Sequence, residues 1–123
     1  MCKPGVKFCE IGETIEEYAR AHGYYVNREF GGHGIAHDLH LSPLVHHYKT
    51  SSASKAEMKP GMAFTIEPIL MMEEKYGYVQ WKDQWTIQAP GVPSCQWEHI
   101  VLITEEGHEI LTLREGEVSP FSE

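Results

Sequence analysis

Near the start of the chain the apolar positions recur at helical spacing. Phe8, Ile11, Ile15, Tyr18 and His22 form a stripe with Ala19 beside it, and Glu10, Glu13, Glu16, Glu17 and Arg20 lie mostly off it. The pattern predicts an amphipathic helix over about residues 6–22, ended by Gly23 as a C-cap, with a solvated acidic face. Gly12 lies inside it at roughly 1 kcal/mol of helix propensity. The period then changes. YYVNREF, residues 24–30, alternates as a strand, and the glycine-rich stretch after it reads as a loop. Residues 42–59 read as mostly irregular, with TSSASKAE an exposed loop and Lys59-Pro60-Gly61 a turn. Strands are expected at 62–72, at TIQA (86–89) and at 95–104, with a long hairpin connection or ragged strand pair over 73–84. Glu105-Glu106-Gly107 turns the chain back into HEILTL, the hairpin partner of 95–104. The fold class is therefore α+β: an antiparallel sheet with one long helix packed on a face, and no internal repeat.

Two carboxylates break this pattern. Glu67 lies inside AFTIEPIL and Glu98 inside CQWEHIVLI, both otherwise apolar or β-forming. A carboxylate buried in a sheet needs a partner. Arg20, Arg28 and Arg114 are the only arginines, so arginine pairing for both is hard to arrange. Alternation puts Thr65 and Glu67 on one face of the first strand, and Gln96, Glu98 and Ile100 on one face of the second. Paired strands would bring the two carboxylates together, where a divalent cation removes their repulsion. A nearby imidazole would complete a nitrogen and oxygen donor set. Periodicity alone leaves a second reading open, in which both side chains simply face water.

The imidazoles are concentrated in GGHGIAHDLH, residues 31–40, which makes His33 and His40 the candidates. Composition narrows the rest. The chain has 123 residues, enough for one domain with a real core. Its formal net charge of −8 gives it no general attraction for nucleic acid. No apolar run approaches membrane-spanning length, and MCKPGVKFCE lacks the apolar region of a signal peptide. Cys2, Cys9 and Cys95 form neither a zinc knuckle nor a disulfide framework, so a reducing cytoplasm is the default location. Met1 runs directly into Cys-Lys-Pro-Gly, a turn-like sequence that reads as the approach to an element, and the expectation is that residues once preceded it.

Five ordered pieces resemble the methionine aminopeptidases: GHGI at 32–35, HY at 47–48, GMAFTIEPIL at 61–70, Trp85 before Thr86, and QWEHIVLIT at 96–104. The resemblance runs from about Lys3 to about Arg114. The short separation of Glu67 and Glu98 leaves no room for the helical insertion of type 2 enzymes, so the likeness is to type 1. The resemblance implies half of a pseudo-symmetric pita-bread fold, with residues 1–123 as the C-terminal part of a peptidase M24-type catalytic domain. It implies removal of N-terminal methionine from nascent proteins and peptides, assisted by two divalent ions (Co, Mn, Fe or Zn).

By that resemblance His33, Glu67 and Glu98 are metal ligands, and Glu67 also moves the proton of the attacking water. His40 contacts substrate and supports the tetrahedral intermediate, while Trp85 and Leu39 border the methionine side-chain pocket. His37 matches no functional position, and His46, His47, His99 and His108 read as structural or surface residues, with His99 placed to orient Glu98. The family has Gly where Ala36 stands and an aromatic where Leu39 stands. It also needs two aspartate ligands, and neither Asp38 nor Asp83 lies in a matching segment. The chain alone is therefore expected to carry an incomplete site and to be inactive. Peptides with N-terminal Met are the implied partners, with ribosome association open to the full-length protein, and neither nucleic acid nor membrane is implied. The alternative is a non-catalytic pita-bread homologue that binds peptides or proteins.

Overall fold

The computed structural model of the chain describes residues 1–89 and 91–117. Helix α1 spans Cys9–Ala21, and the strands are β1 (Tyr25–Val26), β2 (Gly32–Gly34), β3 (Leu41–Val45), β4 (Ala63–Ile66), β5 (Ile69–Met71), β6 (Val79–Gln80), β7 (Ile87–Gln88), β8 (Ser94–Gln96), β9 (His99–Ile103) and β10 (His108–Ile110). The main sheet has the order β10-β9-β4-β2-β3, β1-β5-β8 form a second sheet, and β6-β7 form a hairpin. All pairings are antiparallel.

The helix begins three residues later than its stripe suggests, because Phe8 and Lys7 belong to the preceding turn: Phe8 N–H donates to Ala56 O and Lys7 bridges to Glu57. Its end is as expected. Gly23 N–H donates to Arg20 O and Tyr24 N–H to Ala19 O, the paired bonds of a Schellman cap. The stripe itself is corrected at Tyr18, His22 and Gly12. Tyr18 is 68 % exposed and stacks on His22 at the surface, whereas Gly12 is on the buried face. A Cβ at Gly12 would lie 2.5 Å from Tyr48 O and 2.7 Å from His46 O, so the weak helix former is what lets α1 lie directly on the main chain after β3.

The buried face of α1 meets one face of the main sheet. Phe8, Ile11, Val45, Met58, Phe64, Val101 and Ile103 form the core, with Phe8 edge-on to Phe64 at a centroid distance of 4.9 Å. Three sequence expectations change here. The glycine-rich loop contains β2, and the irregular stretch after it contains β3, because Gly32 and Gly34 allow β2 to pack closely between β3 and β4. The strand expected at 24–30 shrinks to Tyr25–Val26. The strands expected at 62–72 and 95–104 are each broken in two and shared between sheets. Pro68 has no N–H to give the ladder, and both breaks fall around it.

Candidate metal centre

The break in the ladder creates the site. Ile66 pairs with His99 and Ile69 with Gln96, so the register is the same on both sides of the gap. Carried across it, that register sets Glu67 opposite Glu98 and Pro68 opposite Trp97. Residues directly opposite in an antiparallel pair share a face. Phe64 and Val101 face the core, so Thr65, Glu67, Glu98 and Ile100 face the other side. His33 joins them, because its neighbour Gly34 pairs with Phe64.

His33 Nε2 lies 3.4 Å from Glu67 Oε1, with the two side chains 14 % and 20 % exposed. His33 Nδ1 is 3.1 Å from Gly34 O. A carbonyl only accepts, so Nδ1 donates to it and Nε2 is the ring nitrogen that faces the carboxylate. The fixed tautomer is the one a metal-binding imidazole needs. This donor set fits a divalent ion.

Glu67 is held at three points. Thr65 Oγ1 donates to Oε1 at 2.8 Å and Gln96 Nε2 to Oε2 at 3.3 Å. The Glu67 N–H donates to His47 Nε2 at 3.2 Å. Thr65, fully buried, also accepts the His33 N–H at 2.9 Å, so one hydroxyl sets the spacing of His33 and Glu67. Burial, with His46 beside it, pushes the His47 imidazole down to about 4, so it is neutral at pH 7 and its Nε2 is free to accept. Sequence patterning marked Thr65 and Gln96 only as face-mates of the glutamates. His47 appeared there in a short HY motif and was otherwise read as a structural or surface residue.

The remaining candidates are placed as follows. The His40 ring stands 4.4 Å from that of His33, edge to face. Glu98 lines a shallow depression with Gln96, Trp97, His99, Thr112 and Arg114. There His99 accepts from Trp97 Nε1 at 3.0 Å and meets Thr112 Oγ1 at 3.0 Å, while Arg114 lies over Trp97. His99 thus orders the depression through Trp97 and Thr112. Among the described residues no three His, Cys, Asp or Glu side chains are grouped to hold an ion, so Glu98 is not drawn onto the His33–Glu67 pair. Leu39 is exposed beside His40. Trp85 is 78 % exposed on the β6–β7 turn, which Asp83 organises by accepting from the Trp85 and Thr86 amides. The Thr86 hydroxyl and these amides hold Asp83 below the usual carboxylate range. His37 is at the surface, 3.2 Å from Asp38. Arg20 and Arg28 pair with Glu16, so among the described residues neither they nor Arg114 form an ion pair with Glu67 or Glu98.

The chain is similar in sequence and fold to known proteins. The chain is 46 % identical over 112 residues to the methionine aminopeptidase of Chlamydia pneumoniae, covering 90 % of this chain and 38 % of that protein. It is 41 % identical over 121 residues to that of Escherichia coli K12, covering 98 % and 45 %. The crystal structure of methionine aminopeptidase from Rickettsia prowazekii superposes with a TM-score of 0.81 at 36 % identity, over 91 % of this chain and 45 % of that one. The chain thus spans less than half the length of these relatives, and its fold is the pita-bread fold they share. With residues 1–105 matching the sequence pattern of metallopeptidase family M24, the chain belongs to that family.

Proposed function

We propose that residues 1–123 are the C-terminal part of the catalytic domain of a type 1 methionine aminopeptidase, and that the whole protein removes N-terminal methionine from nascent proteins and peptides. The observation that carries this reading is the His33–Glu67 pair, an imidazole nitrogen and a carboxylate 3.4 Å apart and both tied to one buried hydroxyl. His33 Nε2, Glu67 and Glu98 would hold two divalent ions, of cobalt, manganese, iron or zinc, together with two aspartates from another part of the protein. When bound, the ions would acidify a water and polarise the scissile carbonyl.

The chain's own residues do the rest. Glu67 accepts the proton of the attacking water and returns it to the leaving amine. His40, beside His33, donates to the oxygen of the tetrahedral intermediate. Trp85 and Leu39 border the pocket for the methionine side chain. Both stand exposed on this chain, as they must if the pocket wall closes only against the rest of the domain. Action on nascent chains places the protein in the cytoplasm and near the ribosome. No helix among the described residues is long and apolar enough to cross a membrane.

The test is methionine release from a Met-Ala-Ser peptide with Co²⁺ or Mn²⁺, with this chain alone and with the aspartate-bearing half of a family relative added. The expected result is no release by the chain alone, and release by the pair that is lost on Glu67→Ala. Turnover by the isolated chain would show that the half-site suffices. No turnover by the pair would favour the non-catalytic, peptide-binding homologue.

A further inference from the structure

We infer that His47 is a positioning residue for the metal centre: it fixes the Glu67 peptide group, and so the direction in which the carboxylate leaves the sheet. The inference rests on the metal-site reading of Glu67 given above.

The need for such a residue follows from the ladder. β4 ends at Ile66, Pro68 has no N–H, and the pairing between Ile66–His99 and Ile69–Gln96 is open for two residues on each side. The Glu67 N–H points away from β9, toward the β2 edge like the carbonyls of Ala63 and Thr65, and β2 reaches only to Gly32, opposite Ile66. An N–H left without an acceptor beyond the end of β2 is costly, and next to Pro68 no ladder bond on the β9 side holds the peptide either. His47 Nε2 takes that amide at 3.2 Å. The bond comes from neither sheet neighbour. It comes from the segment after β3, on the β2 side of β4.

That segment is itself pinned. The main chain of His46 and Tyr48 is in close contact with Gly12 of α1, where no Cβ would fit. Lys49 N–H donates to Glu16 at 2.9 Å, and Arg28 binds the same carboxylate at 2.8 Å while lying over the Tyr48 ring. His47 is 1 % exposed and between these clamps. It is therefore a fixed post tied to the helix, and it carries the helix's position to the base of the Glu67 side chain. Thr65 and Gln96 fix the head of that side chain, and His47 fixes its root. Partners of this kind, one bond removed from a ligand, are commonly worth about 10- to 100-fold in metal affinity.

The direct test uses the ¹⁵N-labelled 123-residue chain. The Glu67 amide should show a scalar coupling to His47 Nε2 across the hydrogen bond, and its absence overturns the inference without any variant. The functional test uses the chain combined with the aspartate-bearing half of a family relative, titrated with Co²⁺ and followed by its visible absorption. His47→Leu should bind Co²⁺ at least about 10-fold more weakly, with altered absorption bands. His47→Gln, whose Oε1 reaches the place of Nε2, should recover most of the affinity and the wild-type bands. Affinity unchanged in His47→Leu overturns the inference. So does a Gln variant as weak as the Leu variant, since that result reports lost packing alone. A wild-type pair that takes up no Co²⁺, despite an observed coupling, overturns the metal-site reading and this inference with it.

Discussion

The two faces of the main sheet are built to opposite specifications. On one, Phe64, Val101 and Ile103 are sealed beneath Phe8, in the turn before α1, and Ile11 of α1. On the other, the same strands present Thr65, Glu67, Ile100 and Glu98, joined by His33 from β2. Leu44, which pairs with His33, is 54 % exposed there. The covered face is finished within this chain. The open face has a half-assembled donor set and, at Leu44, an apolar side chain that the described residues leave exposed. One face therefore accounts for folding, and the other shows what the fold is for. A single strand serves both, because side chains alternate along it.

The comparison makes predictions of decreasing size. Phe64→Ala removes the ring that Phe8 packs against and should cost about 3–5 kcal/mol, read as a lowered urea midpoint. A loss below about 1 kcal/mol would mean that the covered face is not the core. Gly32→Ala should cost less, about 1–3 kcal/mol, because the added Cβ meets the main chain of Thr65 and forces β2 away from β4. It should nevertheless weaken Co²⁺ binding by the combined protein more than Phe64→Ala does, since His33 moves with β2.

Acid should loosen the tie between α1 and the segment after β3 next. Burial pushes Glu16 up, but the Lys49 amide and the Arg28 guanidinium outweigh it and hold the carboxyl below its usual range. A folded-state value below the unfolded one gives stability that is present above the unfolded value, near 4.5, and lost as pH falls through the folded one. Glu16→Gln should flatten that part of the acid unfolding curve and leave stability at pH 7–8 lower than wild type. The smallest effect belongs to Trp85→Ala, which should change stability by no more than about 0.5 kcal/mol. It should still raise KM for a Met-Ala-Ser peptide in the combined enzyme, and an unchanged KM would remove Trp85 from the pocket.

How much of this was legible in the sequence follows from which forces are local. The period of α1 and its Gly23 cap are local, and they read correctly to within three residues. The β9–β10 hairpin is local too, and it read correctly. β2 and β3 were missed because glycine and proline lower strand propensity, while close packing against β4 is a tertiary gain that no window of sequence contains. Gly12 read as a flaw in a helix, yet it is the contact that seats the helix on Tyr48. At the site, Glu67 and Glu98 announced themselves as charges inside apolar strands, and parity placed them on one face. His47 could not be read in that way. Its role depends on where β2 stops beside β4 and on the path of the chain after β3, and both are features of the folded chain.

The central claim is that the open face supplies part of a two-ion centre through His33, Glu67 and Glu98. The most direct measurement is the Co²⁺ stoichiometry of this chain, alone and combined with the aspartate-bearing half of a family relative, repeated with Glu98→Ala. The account predicts fewer than two tightly held ions on the chain alone, two on the combination, and loss of at least one when Glu98 is removed. Two ions on the chain alone, or a combination that keeps both ions without Glu98, would contradict it.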